Sequence, residues 1–301
     1  MAPLSEARIK AGFERIEALR RLERNRAQYL DPDYWRELNP ELSITSSPFA
    51  DFPPVNVTPD EAAGHARQLL EEGYLQTRPL IAPDIYARLA RGIRRLAEAH
   101  VQTVFASLYD EYYHVFQGLE PLFTPILGEG YLWVGNGNYA YYVPPGDPGT
   151  SGLTAAAPHR DTLGPDAQIL TGHMPSLVSL WVPLNDVSTA ESCIYVVPAD
   201  LDPDYFTSKP GVDWTELNLQ AIRALPAEAG SVLAWSTRII HWGSAASRRA
   251  RYSRMSVAMY FQRGNIPPYD AAATFKCGDE VPFRDRLRWA AQSIGRSGFF
   301  D

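Results

Sequence analysis

Arg254-Met255-Ser256-Val257-Ala258-Met259-Tyr260-Phe261 alternates residue by residue. Met255, Val257, Met259 and Phe261 form one apolar face, and Arg254, Ser256, Ala258 and Tyr260 form the other. Successive side chains of a strand point to opposite sides, so the segment predicts a strand with a hydrophobic layer on one side and a polar cavity on the other. Arg254 shares its face with small and hydroxylated residues. That setting suits a guanidinium reaching into a cavity to hold a carboxylate by a two-pronged hydrogen bond. Arg251 has the opposite parity and ranks second, while Arg248, Arg249 and Arg251 together read as a solvated loop in preference to an anionic-substrate gate.

Upstream lies a glycine-led run of strand-like residues, Gly230-Ser231-Val232-Leu233-Ala234-Trp235-Ser236, followed by His241. Far earlier comes Pro158-His159-Arg160-Asp161. In an extended chain His159 and Asp161 point to the same side while Arg160 points away. A His-x-acid pair alone is weak, because about 0.7 is expected by chance in 301 residues with 6 histidines and 35 acids. Joined by His241 it becomes a set of two imidazoles and one carboxylate, which holds Fe(II) on one face and leaves the other open for a chelating co-substrate and O2. Zn2+ accepts the same ligands, but no His-Glu-x-x-His motif accompanies them.

Thr58-Pro59-Asp60-Glu61 supplies an N-cap, a first-turn proline and an acid three residues on, so a helix is predicted from there. A second is predicted from Pro83 to about Ala106, burying Leu89, Ile93, Leu96 and Ala97. Residues 31–57 read as an irregular connector. From Tyr131 onward the texture turns to aromatic and β-branched residues broken by Gly, Pro and Asn. The expected fold is therefore mainly β with flanking helices, around a double-stranded β-helix (jelly-roll, cupin-like) core whose mouth carries the metal. One globular unit, 58–301, is expected to follow an N-terminal helical extension and connector, 1–57. In that extension Ile9, Phe13, Ile16 and Leu19 recur at helical spacing, which predicts packing onto the body.

Leu69-Leu70-Glu71-Glu72-Gly73-Tyr74, Pro158-His159-Arg160-Asp161, Leu180-Trp181-Val182-Pro183-Leu184-Asn185-Asp186, Ile194-Tyr195-Val196-Val197-Pro198, His241 and Arg254 follow one another in an order that resembles the phytanoyl-CoA-dioxygenase-like (PhyH-like) branch of the Fe(II)/2-oxoglutarate-dependent oxygenases. The resemblance covers roughly residues 58–265. It departs from the pattern at Glu191-Ser192-Cys193 and Ala199-Asp200, where a Gly before the segment and a Gly-Ser-His after it are usual. It implies Fe(II) on His159, Asp161 and His241, 2-oxoglutarate with its far carboxylate on Arg254, and O2. The reaction implied is hydroxylation of an unactivated C–H bond of a small molecule, an amino acid or natural-product intermediate, releasing succinate and CO2. Desaturation, cyclisation or epimerisation with the same cofactors is the alternative, and a non-catalytic jelly-roll binding protein is the rival of another class. Asp161 stands where related halogenases have a small residue. Trp181 is expected to line the co-substrate pocket, and Ser244 and Ser256 to hydrogen-bond the far carboxylate.

Asn136 and Asn138 stand two apart beside glycines, so their amides face the cavity from one strand or belong to hairpin turns. His173 lies between the ligand pair and Trp181, in a segment able to fold over the site, either as packing or as a substrate contact. His65, His100 and His114 are expected on helices, away from the metal.

The formal charge of −7 argues against a nucleic-acid partner. Cys193 and Cys277 are the only cysteines, which excludes a disulfide framework. With a charged N-terminus in place of an apolar one, cytoplasmic residence without a membrane segment is expected. The oligomeric state is not legible.

Overall fold

The structure is a computed structural model that describes residues 16–17, 19–49, 52–147, 157–161, 174–207, 211–213 and 215–300. Among them, residues 16–17 and 19–24 are helical, and the further α-helices are α1 (Arg26–Tyr29), α2 (Pro32–Leu38), α3 (Pro59–Glu72), α4 (Pro83–Glu98), α5 (Asp110–His114), α6 (Glu120–Leu127) and α7 (Phe283–Ser293). The strands are β1 (Tyr74–Pro79), β2 (Leu132–Val143), β3 (Leu177–Pro183), β4 (Ile194–Val197), β5 (Arg223–Leu225), β6 (Ser231–Ser236), β7 (Ile240–Gly243), β8 (Arg254–Gln262) and β9 (Thr274–Phe275).

Two antiparallel sheets form the double-stranded β-helix. The larger runs β1-β6-β3-β8-β2-β9 and the smaller β5-β4-β7. The period of two sorts every central strand. Val178, Leu180 and Val182, Val232 and Ala234, and Met255, Val257, Met259 and Phe261 share one core cluster with the helical residues Leu89, Ile93, Leu96, Phe105 and Phe123. The opposite parity, Trp181, Leu233 and Trp235, packs with Val196 and Ile239 between the sheets. Burying one such side chain contributes about 1.5–3 kcal/mol, and a one-residue slip would turn each of these strands inside out.

The α3 start follows its sequence signal. Thr58 Oγ1 accepts from the Glu61 amide at 3.2 Å, and the Glu61 carboxylate accepts from the Thr58 amide at 2.8 Å. The helix stops at Gly73, whose φ of 79° suits a residue without a Cβ. Strand β1 then precedes the second helix, an element the sequence reading passed over. That second helix ends at Glu98, not near Ala106, because His100 takes a left-handed φ of 54° and a short 3-10 turn follows at Thr103–Leu108. Ala97 is only half-buried. The expected irregular connector holds α2, capped by Asp31, whose side chain accepts from the Asp33 amide. Its Trp35 is fully buried against Phe105. Ile9 and Phe13 lie outside the described residues. Ile16 is exposed, contrary to the expected stripe, whereas Leu19 is half-buried and Leu22, which the stripe did not include, is buried.

Asn136 and Asn138 lie on β2, where the register against β8 shifts between Val134 and Tyr139. The glycines beside them, Gly135 and Gly137, are there for space. A Cβ on Gly135 would fall 2.2 Å from the Trp289 ring, and one on Gly137 would fall 2.1 Å from the Tyr260 ring. No helix among the described residues is long and apolar enough to cross a membrane, and both cysteines are free thiols.

Candidate metal centre and anion pocket

The two histidines meet through their backbones. His159 forms an isolated antiparallel bridge with His241 on β7, each amide donating to the other's carbonyl at 3.1 and 3.0 Å. One extended residue added to the edge of the small sheet thus fixes two ligands at once. Asp161, two residues on, turns to the same side. Its Oδ1 lies 3.6 Å from His159 Nε2 and its Oδ2 3.5 Å from His241 Nε2. The three ligand atoms all lie within 4.8 Å of one another, close enough to hold one metal ion. Arg160 points the other way and pairs with Asp202.

The surroundings aim the ligands. His159 Nδ1 bonds the Ala157 carbonyl at 2.8 Å, and His241 Nδ1 bonds that of Ile239 at 3.3 Å. With Nδ1 donating, Nε2 carries the free lone pair on each ring. Ser179 Oγ donates to Asp161 Oδ2 at 2.6 Å and Trp235 Nε1 donates to the same oxygen at 3.3 Å. Burial penalises the Asp161 charge, but His241, His159 and Ser179 outweigh it and hold the carboxyl well below the usual range. Burial pushes His241 down to about 4 against the pull of Asp161. At the more open His159 burial pushes the same way, but the Asp161 carboxylate prevails and the net shift is upward. Asp161 therefore offers an anionic oxygen and His241 a neutral imidazole nitrogen, while His159 gives up the proton that Asp161 favours when it binds a metal, and this donor set suits a divalent first-row metal.

Arg254 opens β8 on the same cavity, as its parity predicted. It is 3% exposed, with Cζ 5.5 Å from the Tyr141 ring centroid and 5.9 Å from that of Trp181. Among the described residues the buried arginines are Arg160, Arg254 and Arg286. Arg160 has Asp202 and Arg286 has Asp110, but among the described residues Arg254 has no carboxylate partner and its Nε has no partner at all. Burial lowers its pKa to about 10, so it stays cationic at neutral pH, and a buried cation of this kind calls for an anion. Arg248, Arg249 and Arg251 are exposed, as expected of a loop.

One cavity collects the metal trio and Arg254 between walls that include Tyr139, Tyr141, Trp181, Trp235 and Tyr260. Ser256 is fully buried on the Arg254 face with its hydroxyl unpartnered, and the Ser244 hydroxyl is also buried without a partner. The asparagines go elsewhere. Asn136 donates to Asp270 at 2.8 Å, and Asn138 is fully buried outside the cavity wall. His173 lies outside the described residues. His65 sits on α3, His100 in a turn and His114 at the end of α5 against the Pro48 carbonyl, none of them with the metal trio.

Sequence reasoning assigned no site role to Ser179, Trp235, Tyr139, Tyr141, Tyr260 or Ser192. Parity was a usable signal for most of them, since Ser179 shares a face with Trp181, and Tyr260 with Arg254. Nothing local pointed to Ser192, which touches Arg254 across the fold.

No protein-family model matches the chain, and no curated protein matches it significantly. Solved structures do match in shape. The apo form of the non-heme monooxygenase ThoJ superposes with a TM-score of 0.55 at 11% identity, over 76% of this chain and 98% of that one. Its nickel complex gives 0.53 at 12% identity, over 77% and 96%. AviO1 from Streptomyces viridochromogenes gives 0.50 at 17%, over 71% and 99%. At such identities the likeness is one of fold: this chain shares the jelly-roll architecture of the non-heme monooxygenase ThoJ and of AviO1.

Proposed function

We propose that this protein is an Fe(II)- and 2-oxoglutarate-dependent oxygenase of the phytanoyl-CoA-dioxygenase-like kind, acting on a small molecule. The observation that carries the reading is the shared cavity of the His159, Asp161 and His241 cluster with Arg254, a buried guanidinium lacking a carboxylate. The fold of ThoJ, a non-heme monooxygenase solved with nickel, supports it.

His159 and His241 would bind Fe(II) through Nε2 and Asp161 through a carboxylate oxygen. Arg254 would hold the far carboxylate of 2-oxoglutarate. When bound, Fe(II) with 2-oxoglutarate and O2 supplies the oxidation of a C–H bond, with succinate and CO2 released. The protein contributes position and exclusion. Ser179 and Trp235 keep Asp161 from rotating, and the aromatic walls lower the local dielectric, which strengthens the hold of Arg254 on an anion. Desaturation, cyclisation and epimerisation use the same residues, with only the substrate pose differing. A binding protein without catalysis would have no use for all three ligands and the arginine together. Residues 58–301 are the oxygenase unit in this reading, with 1–57 as an extension, and the free thiols support a cytoplasmic setting.

Purified protein supplied with Fe(II), 2-oxoglutarate and air should form succinate when the right small molecule is added, and His241→Ala should not. Succinate formation that persists without Fe(II), or in His241→Ala, contradicts the proposal.

A further inference from the structure

Ser192 has a backbone that serine seldom adopts. Its φ is 68°, and among the described residues only His100 shares a positive φ without being glycine. For an L-residue with a Cβ this conformation is strained, and it persists only where the surroundings hold it. Here they do. Ser192 Oγ donates to the Ser244 carbonyl just beyond β7. The neighbouring Glu191 carboxylate accepts from the Ser188 amide at 3.2 Å and the Arg251 amide at 3.0 Å, which fixes the loop from both sides.

The left-handed turn brings both Ser192 oxygens to Arg254. Arg254 Nη1 donates to the Ser192 carbonyl at 2.6 Å and to Ser192 Oγ at 3.2 Å. A guanidinium has five N–H donors in a rigid fork, and these contacts occupy both of those on Nη1. Nε is buried with no partner, and Nη2 donates to nothing among the described residues. One edge of the fork, Nε with Nη2, is therefore left for a ligand.

We infer that Ser192 is a positioning residue: it occupies one arm of Arg254 and turns the Nε–Nη2 edge to grip the far carboxylate of the co-substrate side-on. The inference rests on the proposed 2-oxoglutarate site and adds what sets its selectivity for a dicarboxylate. Without Ser192 Oγ, the guanidinium keeps only the carbonyl as a tether on Nη1 and the turn loses its bond to Ser244, so the alignment of the Nε–Nη2 edge with a carboxylate is loosened.

Two substitutions separate the contributions. Ser192→Ala removes the hydroxyl and keeps the Cβ. Ser192→Gly also removes it but adopts the turn freely, so it folds where alanine does not. Each is loaded with Ni(II), which needs no oxygen chemistry, and titrated calorimetrically with 2-oxoglutarate and with 2-oxobutyrate, a 2-oxo acid lacking the far carboxylate. Both variants should bind 2-oxoglutarate about tenfold more weakly than the unsubstituted protein. Binding of 2-oxobutyrate should stay unchanged. Unchanged 2-oxoglutarate affinity in either variant overturns the positioning role. A parallel loss for both ligands overturns it too, since that marks general damage to the site. If the unsubstituted protein itself fails to prefer 2-oxoglutarate over 2-oxobutyrate, the functional reading falls and the inference with it.

Discussion

The guanidinium of Arg160 clasps the carboxylate of Asp202 with both arms, Nη1 to Oδ2 at 2.6 Å and Nη2 to Oδ1 at 3.0 Å, on the side of the chain away from the candidate metal ligands. Both side chains are nearly inaccessible, at 1% and 3% exposure. Arg160 is the residue between His159 and Asp161, so this pair anchors the segment from behind while its neighbours face the cavity. Arg160→Ala leaves the Asp202 carboxylate buried and uncompensated, and should cost about 3–5 kcal/mol of stability. The exposed Arg248→Ala should stay within about 0.5 kcal/mol. Urea unfolding of the two variants, side by side, checks this. Equal midpoints would show that the pair anchors nothing.

Ser179 Oγ, at 2.6 Å from Asp161 Oδ2, should matter to the metal more than to the fold. Groups that orient a metal ligand typically change affinity by about 10- to 100-fold when removed. Ser179→Ala should weaken Fe(II) binding by that order, measured anaerobically against a competing chelator. An unaltered dissociation constant would assign the hydroxyl to packing alone.

In the metal-free protein the two histidines should titrate on opposite sides of the ordinary value of 6.5, His241 at about 4 and His159 above 6.5. The His241 side chain is 7% exposed and that of His159 27%, so burial prevails at the first and Asp161 at the second. The consequences for stability have opposite signs. Below 6.5 the unfolded chain protonates His241 while the folded chain does not. The His241 contribution is therefore lost as pH falls from about 6.5 to about 4. The His159 contribution is complete below 6.5 and is lost as pH rises through its raised folded value. Imidazole nitrogen shifts recorded near pH 5.5 should show one neutral and one cationic ring at these positions. Two cationic rings would contradict the assignment.

Arg254 and Arg251 differ by three residues and by every physical criterion. Arg254→Ala removes a buried partner for a carboxylate and should cost 2-oxoglutarate binding on the order of 2–5 kcal/mol. Arg251→Ala removes an exposed charge and should cost well under 1 kcal/mol. Titrating 2-oxoglutarate into the Fe(II) forms separates them, and a crippled Arg251→Ala would mean that the anion enters from the loop.

The sequence made legible what depends on period and local caps. The β8 alternation placed Arg254, the two-apart pair placed His159 and Asp161, and the Thr58 capping box placed α3. What stayed hidden depends on contacts between distant segments. The Asp31 cap of α2 was available in Asp31-Pro32-Asp33, but Trp35 shows its burial only once Phe105 covers it. Asn136 and Asn138 carry the polarity of a cavity face, yet Gly135 and Gly137 are there to admit the Trp289 and Tyr260 rings, which no local pattern announces. Ser179, Trp235 and Ser192 acquire roles only through Asp161 and Arg254, each brought from a separate strand or loop.

The central claim is that His159, Asp161 and His241 bind Fe(II) and that 2-oxoglutarate chelates it there. Its most direct test is the visible absorption that appears when Fe(II) and 2-oxoglutarate are added together without air. The unsubstituted protein should develop a weak charge-transfer band, and His159→Ala and Asp161→Ala should not. A band that survives in both variants, or that never forms in the unsubstituted protein, would contradict the account.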